Sequence, residues 1–341
     1  MPFLPSLARE ASLAEKLGGG KVRCLACAHR CLTAPGGAGR CGVRFNDGGV
    51  LKAPWGYVSS VSPDPIEKKP FFHALPGERT LSFGMFGCNF HCGFCQNWQI
   101  ADIKAAGGLA PLETSPEELL GEALAAGARA VVSTYNEPLI TSEWAAAVFS
   151  GAKKKGLRTG FVSNGYATPE AAAFLRPVLD LWKVDLKCFN EGNYREVCGA
   201  ELQKVLEGIR IILAAGFWME VVTLVIPGFN DSDAELGAMA EFLAGLSKDI
   251  PWHLTAFHPD HLMTGTPPTP RKTLFRARGI ALAAGLRYVY CGNISGAAGQ
   301  DTVCPVCGRA VITREGYSVK KNLLGEDGAC PCGNKIPGVW S

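Results

Sequence analysis

Cys88-Asn89-Phe90-His91-Cys92-Gly93-Phe94-Cys95 is the stretch on which the reading of this chain turns. It follows Thr80-Leu81-Ser82-Phe83-Gly84-Met85-Phe86-Gly87, an apolar run of strand length and strand composition. Three cysteines spaced x3 and then x2, on a loop leaving a strand, can turn their thiolates toward one point. Three thiolates do not close a four-coordinate structural zinc site. They suit a four-iron cluster, which takes a cysteine on each iron when fully ligated. One missing cysteine leaves one iron open to a ligand that is not a side chain, and chemistry needs such an opening. The rival reading is a zinc or ferredoxin-like cysteine knot completed by a distant cysteine.

Outward from this loop the pattern is strand, loop, helix, repeated. Strand-like runs are Ala130–Tyr135, Leu157–Ser163, Leu181–Leu186, Phe217–Ile226, Trp252–Phe257 and Leu286–Cys291. Helical stretches alternate with them: Pro116–Gly127, Thr141–Lys155, Glu201–Ala215, Ser232–Leu246 and Arg271–Ala284. Apolar strands alternating with helices predict a parallel α/β sheet, here a partial or complete (β/α) barrel over residues 80–301. Before it, residues 1–79 form a Cys-rich extension in which Leu7 to Leu17 has the spacing of an amphipathic helix. Cys24, Cys27, Cys31 and Cys41 then fall within 18 residues among glycines, a knot that zinc or a second iron–sulfur cluster could nucleate. His29 reads as a neighbour of that knot. After the barrel, residues 302–341 carry Cys304, Cys307, Cys330 and Cys332 around a β-like stretch, Ala310–Val319, a zinc-ribbon-like tail. Its second knuckle, Cys330-Pro331-Cys332, is one residue short of the usual spacing.

Bulk properties narrow the function classes. A net charge of +3 over 341 residues gives no footprint for nucleic acid. No apolar run reaches membrane-spanning length, and Met1-Pro2-Phe3-Leu4-Pro5 lacks a signal peptide's basic start. Eleven of the 14 cysteines sit in the three local groups, which reads as metal binding in a reducing cytoplasm. Cys188, Cys198 and Cys291 remain as singletons, expected to be buried, inert thiols.

Working residues of parallel barrels gather at the C-terminal ends of strands. Here those ends carry Tyr135-Asn136-Glu137-Pro138, Ser163-Asn164, Asp185-Leu186-Lys187, Asn230-Asp231, His258-Pro259 and Asn293. The bland alternatives are a rim salt bridge for Asp185 and Lys187 and a turn-shaping role for His258.

The cysteine spacing, with Phe94 before the last cysteine, resembles the cluster loop of the radical SAM superfamily. The resemblance implies a [4Fe-4S] cluster on Cys88, Cys92 and Cys95, whose free iron chelates S-adenosylmethionine. One-electron cleavage of the sulfonium then gives methionine and a 5′-deoxyadenosyl radical that takes hydrogen from a substrate. It further implies that Glu137 receives the cosubstrate's ammonium, with Ser163 and Asn164 near its methionine portion. Asp185 and Lys187 are similar to the aspartate-x-lysine of glycyl-radical activating enzymes, which hold ribose and carboxylate, and His258 to a histidine beside the nucleoside. The glycines that usually precede the glutamate are absent here. Four segments narrow the likeness to the radical SAM enzymes of the AmmeMemoRadiSam system, related to pyruvate formate-lyase activating enzymes. They are Arg23–Cys31 with Cys41-Gly42-Val43-Arg44, Asp64-Pro65-Ile66-Glu67-Lys68-Lys69-Pro70-Phe71-Phe72-His73 with Leu75-Pro76-Gly77, Cys92-Gly93-Phe94-Cys95-Gln96-Asn97-Trp98, and Ile336-Pro337-Gly338-Val339-Trp340. Implied partners are a ferredoxin or flavodoxin electron donor and Memo-type and AMMECR-type proteins. The substrate is not named by any residue. An activase that draws hydrogen from a partner protein's glycine, and a non-catalytic iron–sulfur or zinc carrier, are the competing functions.

Overall fold

The computed structural model describes residues 5–296 and 298–341. Residues 1–4, part of the stretch read for a signal peptide, lie outside them. One eight-stranded sheet forms the centre. Strand β1 (Ser60–Pro65) is an edge and pairs antiparallel with β2 (Arg79–Gly84). From β2 the sheet continues in parallel through β3 (Ala130–Ser133), β4 (Arg158–Ser163) and β5 (Leu181–Asp185). Strands β6 (Trp218–Val225), β7 (Trp252–Ala256) and β8 (Val289–Gly292) complete it. Each parallel step is bridged by a helix: α1 (Pro116–Ala125), α2 (Ser142–Lys154), α3 (Pro169–Leu175), α4 (Leu202–Ala214), α5 (Asp233–Leu246) and α6 (Arg271–Ala283). Helices over the sheet leave its central strands buried on both faces, which is why Phe161, Trp182, Val184, Val221 and Leu254 are all fully buried.

The helices start where the side chains dictate. Ser115 accepts from Glu118 N, and Glu118 closes the reciprocal bond ahead of Pro116. Thr168 accepts from Ala171 N before Pro169, and Ser232 from Glu235 N. Each such cap contributes about 1 kcal/mol.

The sheet is open: among the described residues, no pairing joins β8 to β1. Two other segments pack on the sheet. Loop 66–75 follows β1, and Glu220 on β6 accepts from its Phe72 N and His73 N at 2.9 Å. The tail packs beyond it, with Val339 N donating to His73 O and Leu75 N to Val339 O.

The amino-terminal extension contains no helix at Leu7–Leu17. Ala8–Glu10 pairs with Lys52–Pro54 and Ala14–Lys16 with Val22–Cys24. Buried Ala11 and Leu13 stand two residues apart, the strand period, and available partner strands override helix propensity. In the tail the β-like stretch is a hairpin, β10 (Ala310–Glu315) and β11 (Ser318–Asn322), turning at Gly316 with φ 60° and joined by β9 (Thr302–Val303). Among the described residues no helix is long and apolar enough to cross a membrane.

Candidate active site

The loop after β2 is held in shape by its neighbours. Asn136 accepts from Met85 N at 3.0 Å and donates to Gly87 O at 3.1 Å. His91 N and Gly93 N donate to Cys198 O and Val197 O. Gly87 has φ 89°, and a Cβ there would stand 2.8 Å from Val43 Cγ1 and 2.9 Å from Cys41 O, so this position requires glycine. The loop thus turns tightly against the amino-terminal extension and faces its cysteines the other way. Cys88, Cys92 and Cys95 border one cavity of about 750 Å³, within the range of small-molecule sites.

The same cavity is bordered by Glu137, Ser163, Asn164, Asp185 and Lys187, so the strand exits of β3, β4 and β5 meet the cysteine loop there. Glu137 is buried and accepts from Ser163 Oγ at 2.8 Å, Asn164 N at 2.7 Å and Leu139 N at 3.0 Å. Burial pushes its carboxyl up to about 7 despite these donors. Three bonds leave one of a carboxylate's roughly four lone-pair sites free. Asn164 Nδ2 reaches back to Asn89 Oδ1 at 2.7 Å, binding this cluster to the cysteine loop. Asp185 sits between two ammonium groups, Lys183 at 2.7 Å and Lys187 at 3.4 Å. Burial alone would raise its carboxyl, but the two lysines hold it below its usual range. Burial works against the charge on Lys187 too, and Asp185, Cys92, Cys198 and Tyr194 together outweigh it. His258 stands apart: it is exposed outside the cavity and touches its rim only through Gln96, Nε2 to Nε2 at 2.8 Å.

The cysteine trio fits a four-iron cluster by its donor chemistry. Burial raises the Cys88 and Cys95 thiols, Cys95 to about 11, so a metal centre is what would hold them as thiolates. Two further cysteines come near. Cys198 lies against Cys92 but does not border the cavity. Cys291 borders it, yet its thiol donates to Leu274 O at 3.8 Å on the helix side. All three singleton cysteines are buried.

Several polar residues at the cavity escaped sequence reading. Lys183 on β5, His253 on β7 and Tyr290 on β8 border it, and the buried Glu220 on β6 lies behind His253. Glu220 accepts from His253 Nε2 at 2.7 Å and Trp218 Nε1 at 3.1 Å. His73 joins at the edge, with Nδ1 donating to Pro337 O at 2.7 Å and Nε2 accepting from Tyr290 Oη at 2.6 Å. Asp64 accepts from Lys68 and Lys69, both at 2.6 Å, and Glu67, Lys68, Lys69 and Phe72 line the cavity. The signal was present: a lysine inside Leu181-Trp182-Lys183-Val184-Asp185 has no place in a wholly apolar strand.

The two outlying cysteine groups differ. In the tail, Cys304 Sγ and Cys332 Sγ are 3.7 Å apart, as are Cys307 Sγ and Cys330 Sγ, and all four ligand atoms lie within 4.8 Å of one another. The short Cys330-Pro331-Cys332 knuckle therefore still converges on a point that can take one metal ion. Cys24, Cys27, Cys31 and Cys41 border a separate pocket behind the cysteine loop.

A parallel α/β sheet whose first parallel strand runs into such a loop, over a cavity with these strand exits, defines a radical SAM domain. Residues 83–241 match the Radical SAM superfamily model. The chain belongs to the same family as the uncharacterized protein MJ0808 of Methanocaldococcus jannaschii. The two are 39% identical over 332 residues, 96% of this chain and 98% of that protein. Pyruvate formate-lyase 1-activating enzyme of Escherichia coli (strain K12) is 24% identical over 224 residues, 60% of this chain and 89% of that enzyme. In fold the chain is similar to a radical SAM methyltransferase from Sphaerobacter thermophilus, with TM-score 0.50 and 19% identity over 66% of this chain and 70% of that one. The domain and its activating-enzyme relatives make this chain an enzyme.

Proposed function

We propose that Cys88, Cys92 and Cys95 hold a [4Fe-4S] cluster and that the strand exits around it bind S-adenosylmethionine for hydrogen abstraction from a substrate at the cavity mouth. The observation that carries this reading is the shared cavity: the three thiols, the Glu137 cluster and the Asp185–Lys187 pair all border it. When bound, cluster and cosubstrate supply one-electron reductive cleavage and a carbon-centred radical. The chain's own residues bind and orient. Glu137, with its free lone pair, takes an ammonium group, and Lys187 faces a carboxylate. Asp185 accepts from ribose hydroxyls, while Ser163 and Asn164 hold Glu137 in place. Phe94, buried beside Phe229 with ring centroids 5.6 Å apart, keeps water from the last cysteine.

The defining measurement is 5′-deoxyadenosine formation by anaerobically reconstituted, dithionite-reduced protein, expected in the wild type and absent in Cys92→Ala. Product from Cys92→Ala would remove the cluster assignment. Glu137 adds a pH signature. Its carboxylate is charged above about pH 7, so affinity for the cosubstrate should fall about tenfold per unit below that point. Calorimetric titration between pH 6 and 8 reads it, and a flat profile would exclude Glu137 as the ammonium's partner.

Similarity to a pyruvate formate-lyase activating enzyme supports a second reading, a glycine of a partner protein as the hydrogen donor. A glycine-centred doublet by electron paramagnetic resonance, on mixing with a candidate partner, would select it. A low-potential ferredoxin or flavodoxin is the proposed donor of the electron. Memo-type and AMMECR-type partners rest on the AmmeMemoRadiSam resemblance of Arg23–Arg44 and Asp64–Gly77. Tight tetrathiolate spacing supports zinc in the tail, and the grouping of eleven of the 14 cysteines into metal-type clusters supports a reducing cytoplasm.

A further inference from the structure

Asn89 separates two sites. Its neighbour Cys88 borders the cavity, whereas Asn89 borders the pocket behind the loop, with Cys24, Cys27, Cys31, Cys41 and Arg44. The ligand of that second pocket can be argued from spacing and from donors.

Zinc–thiolate bonds of about 2.3 Å set the sulfurs of a tetrahedral site roughly 3.8 Å apart. The tail meets that measure at 3.7 Å. Among the described residues, the tail group is the only one of three or more Cys, His, Asp or Glu whose ligand atoms lie mutually within 4.8 Å. The four amino-terminal thiols share a pocket, yet no three of them lie mutually within 4.8 Å, and neither do Cys88, Cys92 and Cys95. A cube of iron and sulfide between the thiolates takes the wider spread, so the superfamily's own cysteine trio serves as an internal standard.

The donors point the same way. Arg44 Nε is buried and has no hydrogen-bond partner, and the buried Asn89 amide faces the Cys27 thiol. Both residues border this pocket. An unmet buried donor is costly, and the sulfides and thiolates of a cluster are the anionic acceptors that would meet it. Arg40 N already donates to Cys31 Sγ at 3.4 Å, as Phe90 N does to Cys88 Sγ at 3.4 Å in the first site. The nearby histidine is no competing ligand through Nε2, which bonds Asn89 O at 2.9 Å.

We infer that Cys24, Cys27, Cys31 and Cys41 hold an auxiliary four-iron cluster, fully ligated by cysteine and therefore closed to S-adenosylmethionine, in the pocket bordered by Asn89, the residue after Cys88. The test uses full-length protein reconstituted anaerobically with iron and sulfide in the presence of zinc. A Cys88→Ala/Cys92→Ala/Cys95→Ala variant should keep about four iron and four sulfide per chain, with a reduced-state paramagnetic signal that S-adenosylmethionine leaves unmoved. Zinc in place of iron in that variant would overturn the inference. Cys24→Ser/Cys27→Ser is the reciprocal arm and decides the matter if the triple variant does not fold. Iron should drop from about eight per chain to about four, and the remaining signal should shift with S-adenosylmethionine. Wild-type protein holding only about four iron, unchanged by the Cys24→Ser/Cys27→Ser pair, would likewise overturn it. Failure of the catalytic reading would look different: the triple variant would then lose no iron relative to wild type.

Discussion

The two four-cysteine modules carry the same number of thiols and are built on different principles. In the tail the sulfurs pack against one another at 3.7 Å, two on exposed knuckle positions, and the module is secured by one guanidinium acting as a hub. Arg314 is fully buried, donates to Phe72 O at 2.7 Å, Thr302 Oγ1 at 2.9 Å and Gln300 O at 3.2 Å, and reaches Glu67 only at 3.5 Å. Its plane lies over the Phe72 ring at 4.2 Å. In the amino-terminal module the sulfurs stand apart around a pocket, and the anchor is a bidentate ion pair. Arg44 meets Glu143 at 2.7 and 2.8 Å, both buried, with Leu13 N completing the carboxylate at 3.1 Å. Cysteine count alone therefore says little about ligand. Sulfur spacing, and the kind of donor buried among the sulfurs, says more.

The largest effects should separate the anchors. Arg44→Met strands Glu143 without its cation and should cost about 3–5 kcal/mol, read by urea unfolding. Adding Glu143→Leu should recover the larger part of it, the remainder falling on Ile140 O and Leu13 N, which lose Arg44 and the carboxylate. Arg314→Met should cost a similar amount, but Glu67→Leu should recover little, since the carbonyls of Phe72 and Gln300 stay unmet. Burial already raises the Glu67 carboxyl against the weak pull of Arg314, whereas Arg44 overcomes burial to lower Glu143. Equal recovery in the two cycles would erase the distinction between hub and pair.

Acid should loosen the tail before the amino-terminal module. Burial depresses His73 to about 4, below its unfolded value of about 6.5, so its contribution is complete above pH 6.5 and is lost as pH falls toward 4. For a group this buried the loss amounts to about 3 kcal/mol. Protonating Nε2 breaks the bond from Tyr290 Oη and frees the strand at Val339. His29 is shifted the same way by burial, also to about 4, but is only half-buried, so its share is smaller. Amide exchange at pH 7, 6 and 5, corrected for intrinsic rates, should rise first over residues 336–340. A simultaneous rise over 24–41 would put the two modules on one footing.

The sheet and most helices were legible because their signals are local. A strand buried on both faces reads as an unbroken apolar run, as Ala130-Val131-Val132 did for β3. A capped helix announces its start, as Ser232 did for α5. Pairing chosen at a distance was not legible. The segment Ala8–Lys16 has helix-like composition, and only strands at 22–24 and 52–54 decide otherwise. Ser60-Val61-Ser62-Pro63-Asp64-Pro65 carries two prolines, tolerated because β1 is an edge. Glu137 and its neighbours could be picked from strand ends, yet the three internal donors to Glu137 could not. The buried set of Glu220, His253, Tyr290 and His73 draws on three strands and a loop, so no single stretch contains it.

The smallest expected effect tests whether the anchors, and not the module surfaces, make the difference. Each module has an exposed ion pair: Arg23 with Glu15 at 2.8 Å, and Lys335 with Asp327 at 2.9 Å. Water screens both, and ordering two long side chains offsets what attraction remains. Arg23→Ala and Lys335→Ala should therefore leave the urea midpoint within the error of the titration, in low salt as in high. The lysine case is the more demanding. Asp327 also accepts from Ala329 N at 3.2 Å, beside the knuckle that presents Cys330 and Cys332, and Lys335 follows that knuckle. If Lys335→Ala measurably lowered stability, the second knuckle would be held in place by surface charge. Convergence of the four thiols would then owe less to a bound ion and to Arg314 than the spacing implies.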